Sequence, residues 1–340
     1  MTRSQYQGIA GIPDEIVLSI VEYMDTTTRK CFMATNKGMG TLIESYEHSI
    51  SKTRAATFIL PSLGNILSSS TDERCVLPKD TFSMIHELEL RDERIDRLIK
   101  ECPKVFSIAS PPWLPSLMPP QQGRLVMILK RALYQCDRIA DIAANEPCIP
   151  IPVEYYHSIV DGVYELPFAL SSPIGGQFNP LTRLDARPKQ IEYIRSLSLD
   201  DIAGVFVMIN MVGYGLMVSS ARESPARFER KTVIEECVLR HGTWFLWSRL
   251  LGGLDSQEFA GCIISAGRAE LRQWESGSLD GPPGLKMTLI ERFKELMGGN
   301  TEENTSAKIV STLEKLVLGG NKKPTEKNGF GDARKDVCII

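Results

Sequence analysis

The sequence lacks the residue patterns that mark most enzymes and nucleic-acid-binding proteins. Its four histidines are isolated, and none has a second histidine or a cysteine at metal-ligand spacing. The 39 Lys and Arg residues are balanced by 42 Asp and Glu, so the net charge of −3 provides no basic surplus for a nucleic acid. There is no Walker or dinucleotide glycine pattern, and no nucleophile with an identifiable base. We therefore expect no enzymatic activity, no metal, no cofactor and no nucleic-acid partner.

Paired cysteines and targeting segments are also missing. The eight cysteines are scattered without a C-x-x-C pair, in a 340-residue chain that is long enough to bury a core without disulfides. The opening residues MTRSQYQG are too polar for a secretory signal. Cys338 is followed by two residues, whereas a prenylation box needs three. These features predict reduced thiols, no lipid anchor, and a cytoplasmic or nuclear location.

Long, mainly apolar runs without charge are rare in the sequence, and the clearest is residues 202–221, IAGVFVMINMVGYGLMVSSA. Twenty such residues are enough to cross a bilayer. However, Asn210 lies at the centre, and Gly204, Gly213 and Gly215 interrupt the apolar sequence. A helix that is apolar all round is equally typical of the centre of a large bundle. We favour the buried helix and keep a membrane span as the alternative.

The sequence predicts a mainly α protein with a few short strands. Helical apolar spacing marks residues 123–145, 227–253 and 281–299, and Gly252-Gly253 is expected to cap the second of these helices. The adjacent acidic pairs Asp200-Asp201 and Glu235-Glu236 are expected at solvated helix starts and faces. The predicted parts are an N-terminal three-helix module (1–55), a connecting region (56–120), a helical C-terminal domain (121–299) and a polar tail with one short helix (300–340).

The connecting region contains two recognisable features. Residues 85–108, IHELELRDERIDRLIKECPKVFSI, predict a strand followed by a helix, similar to one leucine-rich-repeat unit. A single unit of this kind does not make a solenoid, which needs stacked repeats. Residues 111–120, PPWLPSLMPP, contain five prolines and are the predicted domain boundary.

Residues 11–24, GIPDEIVLSIVEYM, form a short amphipathic segment. Pro13 suits a first helical turn, and Asp14 and Glu15 favour the positive end of the helix dipole. Apolar side chains then recur at three- and four-residue steps, widened by two valines, in a stripe made of Ile16, Val17, Ile20, Val21, Tyr23 and Met24. A helix this short is marginal in water, so the stripe needs a partner surface.

Residues 9–52 resemble an F-box, and the whole chain resembles fungal F-box proteins that have a helical C-terminal region. The F-box commonly opens with Leu-Pro-x-Glu-Ile/Leu, followed by Ile and Tyr-Leu. The resemblance implies a module that docks on the Skp-type adaptor of a cullin–RING ubiquitin ligase. The implied adaptor-binding residues are Ile12, Pro13, Glu15, Ile16, Ile20, Tyr23 and Met24. The chain departs from the family at Arg29 and Lys30, where leucines are usual, and at Gly38 and Gly40.

Three functions follow as hypotheses. In the first, the protein is an F-box-like adaptor that recruits a protein client, not identified by the sequence, to the ligase. In the second, it is a small-molecule-binding protein or an unrecognised enzyme with a pocket in the C-terminal helical domain. In the third, it is an accessory protein tethered to a membrane through residues 202–221. For the opening stretch, the alternative is an ordinary helix that packs into the protein's own core.

Overall fold

The computed structural model describes residues 12–69, 75–106, 114–145, 186–219, 227–254, 284–298 and 304–319, with scattered positions between 256 and 268. These residues form twelve helices and one antiparallel pair of two-residue strands, which confirms the mainly α prediction. The chain divides into two units, Met1–Glu93 (unit 1) and Arg94–Ile340 (unit 2). The boundary between the two units falls inside a helix, and residues 111–113 of the predicted proline-rich boundary lie outside the described residues.

Unit 1 contains four short helices where three were predicted. They are α1 (Asp14–Val21), α2 (Thr26–Thr35), α3 (Lys37–Ser45) and α4 (Glu47–Ala55). The extra helix arises because the backbone leaves the helical region at Tyr46 (φ −108°, ψ 13°), which divides α3 from α4. Residues 56–60 consist of turns and bends, and strands β1 (Ile66–Leu67) and β2 (Val76–Leu77) follow.

The predicted strand–helix unit is wrong, because residues 85–101 belong to one continuous helix, α5 (Phe82–Glu101). Ile85, Leu88, Ile95 and Leu98 recur at helical spacing, and all four are buried. Leu90, which the strand pattern required on the same face as Leu88, is 40% exposed. Over six residues, the pattern IHELEL fits both the two-residue period of a strand and the 3.6-residue period of a helix. The structure follows the helical period, which continues along the whole of α5. A short helix, α6 (Pro103–Phe106), follows at the predicted proline break.

Unit 2 begins within α5 and adds six long helices to α6. They are α7 (Pro119–Ile142), α8 (Arg187–Ser196), α9 (Leu199–Ser219), α10 (Arg227–Leu250), α11 (Leu285–Leu296) and α12 (Thr305–Leu318). The left-handed cap expected at Gly252-Gly253 is wrong, because positive φ angles occur instead at Gly242, Gly298 and Gly319. Helix α12 carries three fully buried side chains, so it packs as part of the unit 2 core.

The described part of the charge-free stretch, residues 202–219, belongs to the central helix of unit 2, and residues 220–221 lie outside the described residues. Helix α9 contacts α6, α7, α10, α11 and α12. Among the described residues it is the one helix long and apolar enough to cross a membrane, and 72% of its apolar window, Leu199–Met217, is buried inside the protein. Burial of most of this helix by five other helices accounts for its apolar sequence without a lipid environment, which favours the buried-helix interpretation.

Two glycines of α9 allow this close packing. A Cβ atom at Gly215 would lie 2.6 Å from the Cα of Val105, so α6 approaches to backbone contact. A Cβ atom at Gly213 would lie 3.0 Å from the Cγ of Glu235 in α10. Any larger side chain would push these neighbours away from the central helix.

Helix α10 is kinked at Gly242, where φ is 67° and ψ is −156°. The kink frees the backbone N–H of Thr243, which donates to Asp137 Oδ1 at 2.7 Å. The Thr243 hydroxyl also donates to the Asp137 carboxylate, and Arg94 donates to that hydroxyl at 3.1 Å. All three of these side chains are buried. The kink is therefore stabilised by a buried polar cluster instead of being a solvated break.

The central position of α9 predicts a strong effect of a charge at Ile209, which is fully buried. Ile209→Asp should unfold unit 2, because an unpaired buried charge costs several kcal/mol, close to the entire stability of a domain. Tyr214 lies on the same helix and is 55% exposed, so Tyr214→Asp should leave the circular-dichroism melt within a few degrees of wild type. Equal melts for the two variants would contradict the burial of α9.

The kink predicts that Gly242→Ala is destabilising by roughly 2–3 kcal/mol or more. The positive φ strains any L-residue, and the added Cβ would lie 2.3 Å from Asp137 Oδ1. Gly253 is a matched control, because a Cβ atom there meets nothing within 4 Å. Urea unfolding of both alanine variants measures the difference. A Gly242→Ala protein as stable as Gly253→Ala would exclude the kinked backbone.

Candidate docking surface

Helix α1 begins directly after Pro13. The backbone of Pro13 is extended (φ −55°, ψ 141°), and its carbonyl accepts from the N–H groups of Ile16 and Val17 at 3.0 and 3.2 Å. Asp14 and Glu15 occupy the first turn, where carboxylates interact favourably with the unpaired N–H groups. Proline, acidic residues and the following apolar run therefore fix where this helix starts.

Helix α1 has apolar side chains on two sides, and the rest of unit 1 covers only one of them. Val17 and Val21 are 2% and 0% exposed and pack with Ile43 and Ile50 in a core of unit 1. The remaining large apolar side chains, spaced by three or four residues, form what we call the exposed face of α1. Its members and their exposed fractions are Ile12 (39%), Ile16 (52%), Ile20 (45%) and Tyr23 (80%). Two exposed isoleucines on the helix, with Ile12 just before it and Tyr23 just after it, are typical of a contact surface.

Six of the seven predicted adaptor-binding residues are exposed on α1 or at its ends. Pro13 and Glu15 join the four residues of the exposed face. Met24 differs, because it is partly buried against the core that contains Val17 and Val21. The expectation that these two valines widen the stripe is wrong. They face the core of unit 1, on a side of the helix that lies about 100° around the axis from Ile16 and Ile20.

Arg29 fills a core position that the sequence analysis treated only as a departure from the F-box pattern. Its side chain is 1% exposed, and its guanidinium lies 3.9 Å from the centroid of the Phe82 ring. Burial lowers the pKa of Arg29, and the nearby carboxylates of Glu89 and Glu47 partly offset that effect. The long aliphatic stem and the cation–π contact let arginine occupy a site where an apolar residue is usual.

The same carboxylates connect α2 and α4 to α5. Glu89 Oε2 accepts from the backbone N–H of Thr26 at 3.0 Å, and Glu89 Oε1 lies 3.6 Å from Arg54. Glu47 Oε1 accepts from the backbone N–H of Phe82 at 2.6 Å. These partners are 35 to 63 residues apart in sequence, so no local pattern could have predicted the network.

A second candidate surface lies in unit 2, and it is concave. It is formed where the start of α7, the start of α9 and the end of α12 meet. We call it the α7–α9 groove, and it encloses about 890 Å³. Met127, Ile128 and Leu316 supply apolar walls. At its edge the Arg131 guanidinium forms two hydrogen bonds with the Asp201 carboxylate, at 2.5 and 3.2 Å. Sequence analysis did not identify this groove, because its walls come from three distant segments.

The expectation that Glu235-Glu236 is a solvated pair is wrong. Glu235 is fully buried and accepts from Lys286 Nζ at 2.5 Å, with Lys231 Nζ at 3.8 Å. Burial raises the pKa of Glu235, and the two ammonium groups offset part of that rise. Glu236 accepts from the backbone N–H groups of Leu285 and Lys286 at 3.0 and 2.9 Å, so it caps α11 from another helix. Both carboxylates therefore have structural partners.

Asp200 and Asp201 do begin a helix, as predicted, in the first turn of α9. Within the described part of the chain, no group of three or more His, Cys, Asp or Glu side chains could hold a metal ion. The charged residues described above thus form pairs and caps rather than a metal centre.

Comparison with family models, curated proteins and solved structures finds no match to this chain. The F-box resemblance therefore rests on the residues quoted for it and remains a prediction.

Because α1 has one buried side and one exposed side, substitutions on its two sides should change the free energy of unfolding by different amounts. Val17→Ala/Val21→Ala should lower the free energy of unfolding by roughly 1.5–3 kcal/mol per site, because each removes buried methyl groups and leaves a cavity. Ile16→Ala/Ile20→Ala should change it by less than about 0.5 kcal/mol per site, since these side chains are half exposed. Amide hydrogen exchange of residues 14–55 provides the measurement. If both double variants lose equal stability, the assigned faces are wrong.

Proposed function

We propose that this chain is an F-box-like adaptor whose exposed face of α1 docks on the Skp-type subunit of a cullin–RING ubiquitin ligase. The observation that carries the proposal is the position of Ile12, Ile16, Ile20 and Tyr23. These four residues remain exposed although α1 already contributes Val17 and Val21 to a core. An ordinary core helix would expose polar residues on its outer side.

The energetics of this face suit a protein interface. Fully burying a large apolar side chain contributes roughly 1.5–3 kcal/mol, so covering a half-exposed isoleucine contributes about half of that. Ile16 and Ile20 together would supply roughly 1.5–3 kcal/mol, and the ring of Tyr23, which is 80% exposed, adds a larger apolar area. Such a small set of apolar anchors is typical of helix recognition in a groove.

Under this proposal the chemistry of ubiquitin transfer belongs to the ligase, so this chain is not an enzyme. Unit 2 is then the part that contacts the client. The client remains a protein that neither the sequence nor the fold identifies. The cytoplasm or nucleus, where reduced cysteines are stable, is the proposed location.

A second candidate function, small-molecule binding in unit 2, is favoured by the α7–α9 groove. Its volume of about 890 Å³ lies within the usual range for ligand sites, and apolar side chains line much of it. However, its Arg131 and Asp201 side chains are paired with each other. No convergent set of polar groups is directed into the groove by the contacts described above, so the adaptor function is the better supported of the two.

The adaptor proposal predicts that Ile16→Ala/Ile20→Ala weakens binding to a purified Skp-type protein by about ten- to a hundredfold. Titration calorimetry with the full chain measures the affinity. The matched control is Ile59→Ala, which removes a 41% exposed isoleucine of unit 1 outside α1 and should leave the affinity unchanged. No binding by the wild type, or equal binding by the Ile16→Ala/Ile20→Ala variant, would overturn the proposal.

A further inference from the structure

The α7–α9 groove leaves an apolar strip of α7 uncovered. Pro120, Met127 and Ile128 lie along this strip, and Met127 is 55% exposed. Leu316 of α12 faces the same space. On the other sides of α7, Leu125, Leu129 and Leu133 are fully or almost fully buried. The strip is thus an apolar surface on a helix that unit 2 otherwise encloses.

The chain leaves α12 at the edge of this groove. Helix α12 ends at Leu318, and Gly319 turns the backbone out of the helix with φ 72° and ψ 78°. Arg124, a groove residue, donates its Nε–H to the carbonyl of Val317 at 2.7 Å. A Cβ atom at Gly319 would lie 3.3 Å from the same guanidinium. The first residue beyond the described part of α12 therefore starts beside the groove.

The sequence beyond Gly319 has the composition that such a groove would bind. Residues 320–329, GNKKPTEKNG, are polar, and residues 330–340, FGDARKDVCII, contain one aromatic residue and a final apolar cluster. The ten polar residues can span up to about 33 Å when extended, so residues 330–340 can reach the groove. Arg334 and Lys335 lie ahead of the apolar cluster, between Asp332 and Asp336, and Asp200 lies exposed at the groove edge.

We propose that residues 330–340 dock within their own chain on the α7–α9 groove. The apolar cluster at residues 337–340 covers the strip formed by Met127 and Ile128, while Arg334 or Lys335 faces Asp200. Because the segment is tethered next to its site, its effective concentration is in the millimolar range, and modest contacts suffice to hold it. This segment would then compete with any external ligand of the groove. The proposal does not depend on the adaptor function.

Cys338 offers a direct test, because it lies within the docking segment. In full-length Met127→Cys protein at low micromolar concentration, diamide should form an intramolecular disulfide between residues 127 and 338. The matched control is Met287→Cys, since Met287 is 51% exposed, belongs to unit 2 and is not a groove residue. The disulfide with residue 127 should form at least about tenfold faster than the disulfide with residue 287. Peptide mapping by mass spectrometry identifies each pair.

Two further variants make the outcome decisive. Val337→Asp/Ile339→Asp in the Met127→Cys protein should reduce the rate about tenfold, to that of the Met287→Cys control, because the apolar contacts are lost. Asp200→Asn should slow the reaction less. Equal rates at residues 127 and 287 would overturn the proposal, as would a rate unaffected by the two aspartates. A disulfide that forms only between chains would also overturn it, because a second copy would then occupy the groove.

Discussion

The burial of α9 is the constraint on which the rest of unit 2 depends. Beyond its first turn α9 carries no charge, and the five helices that contact it must each present an apolar face to it. Gly213 and Gly215 set the spacing, since at these positions α10 and α6 approach more closely than a side chain would allow. The long helices α7 and α10, and the late helix α12, all pack against this one element.

Such close packing leaves buried polar groups that must find partners within the protein. Asp137 accepts from the N–H group and the hydroxyl of Thr243 where Gly242 breaks α10. Glu235 pairs with Lys286, and Glu236 replaces a local cap at the start of α11. An unpartnered buried charge would cost several kcal/mol, and these contacts avoid that cost. They also fix how the helices are aligned, because each contact requires one register of its two helices.

Unit 1 is held together by a smaller core, which covers only one side of α1. Val17 and Val21 anchor α1, Arg29 packs on Phe82, and Glu89 connects α2 to α5. The opposite side of α1 gains nothing from this core, so Ile16 and Ile20 stay accessible to a partner. A helix held on one side and apolar on the other is a preorganised binding element, and little conformational entropy is lost when it docks. This is the physical basis of the adaptor proposal.

The sequence by itself determined where most helices lie. Apolar spacing marked α7, α10, α11 and α12, and Pro13 with its acidic neighbours marked the start of α1, because these signals are local and act within a few turns of helix. Local signals predicted the wrong element where a short segment fitted both the strand period and the helix period, as IHELEL in α5 does. They also could not show which side of α1 is covered, because Ile16 and Val17 are equally apolar and only the position of Ile43 and Ile50 distinguishes them. The tertiary structure alone decided the kink at Gly242, the burial of Glu235 and the groove, since each depends on residues that are far apart in sequence and meet only when the helices pack.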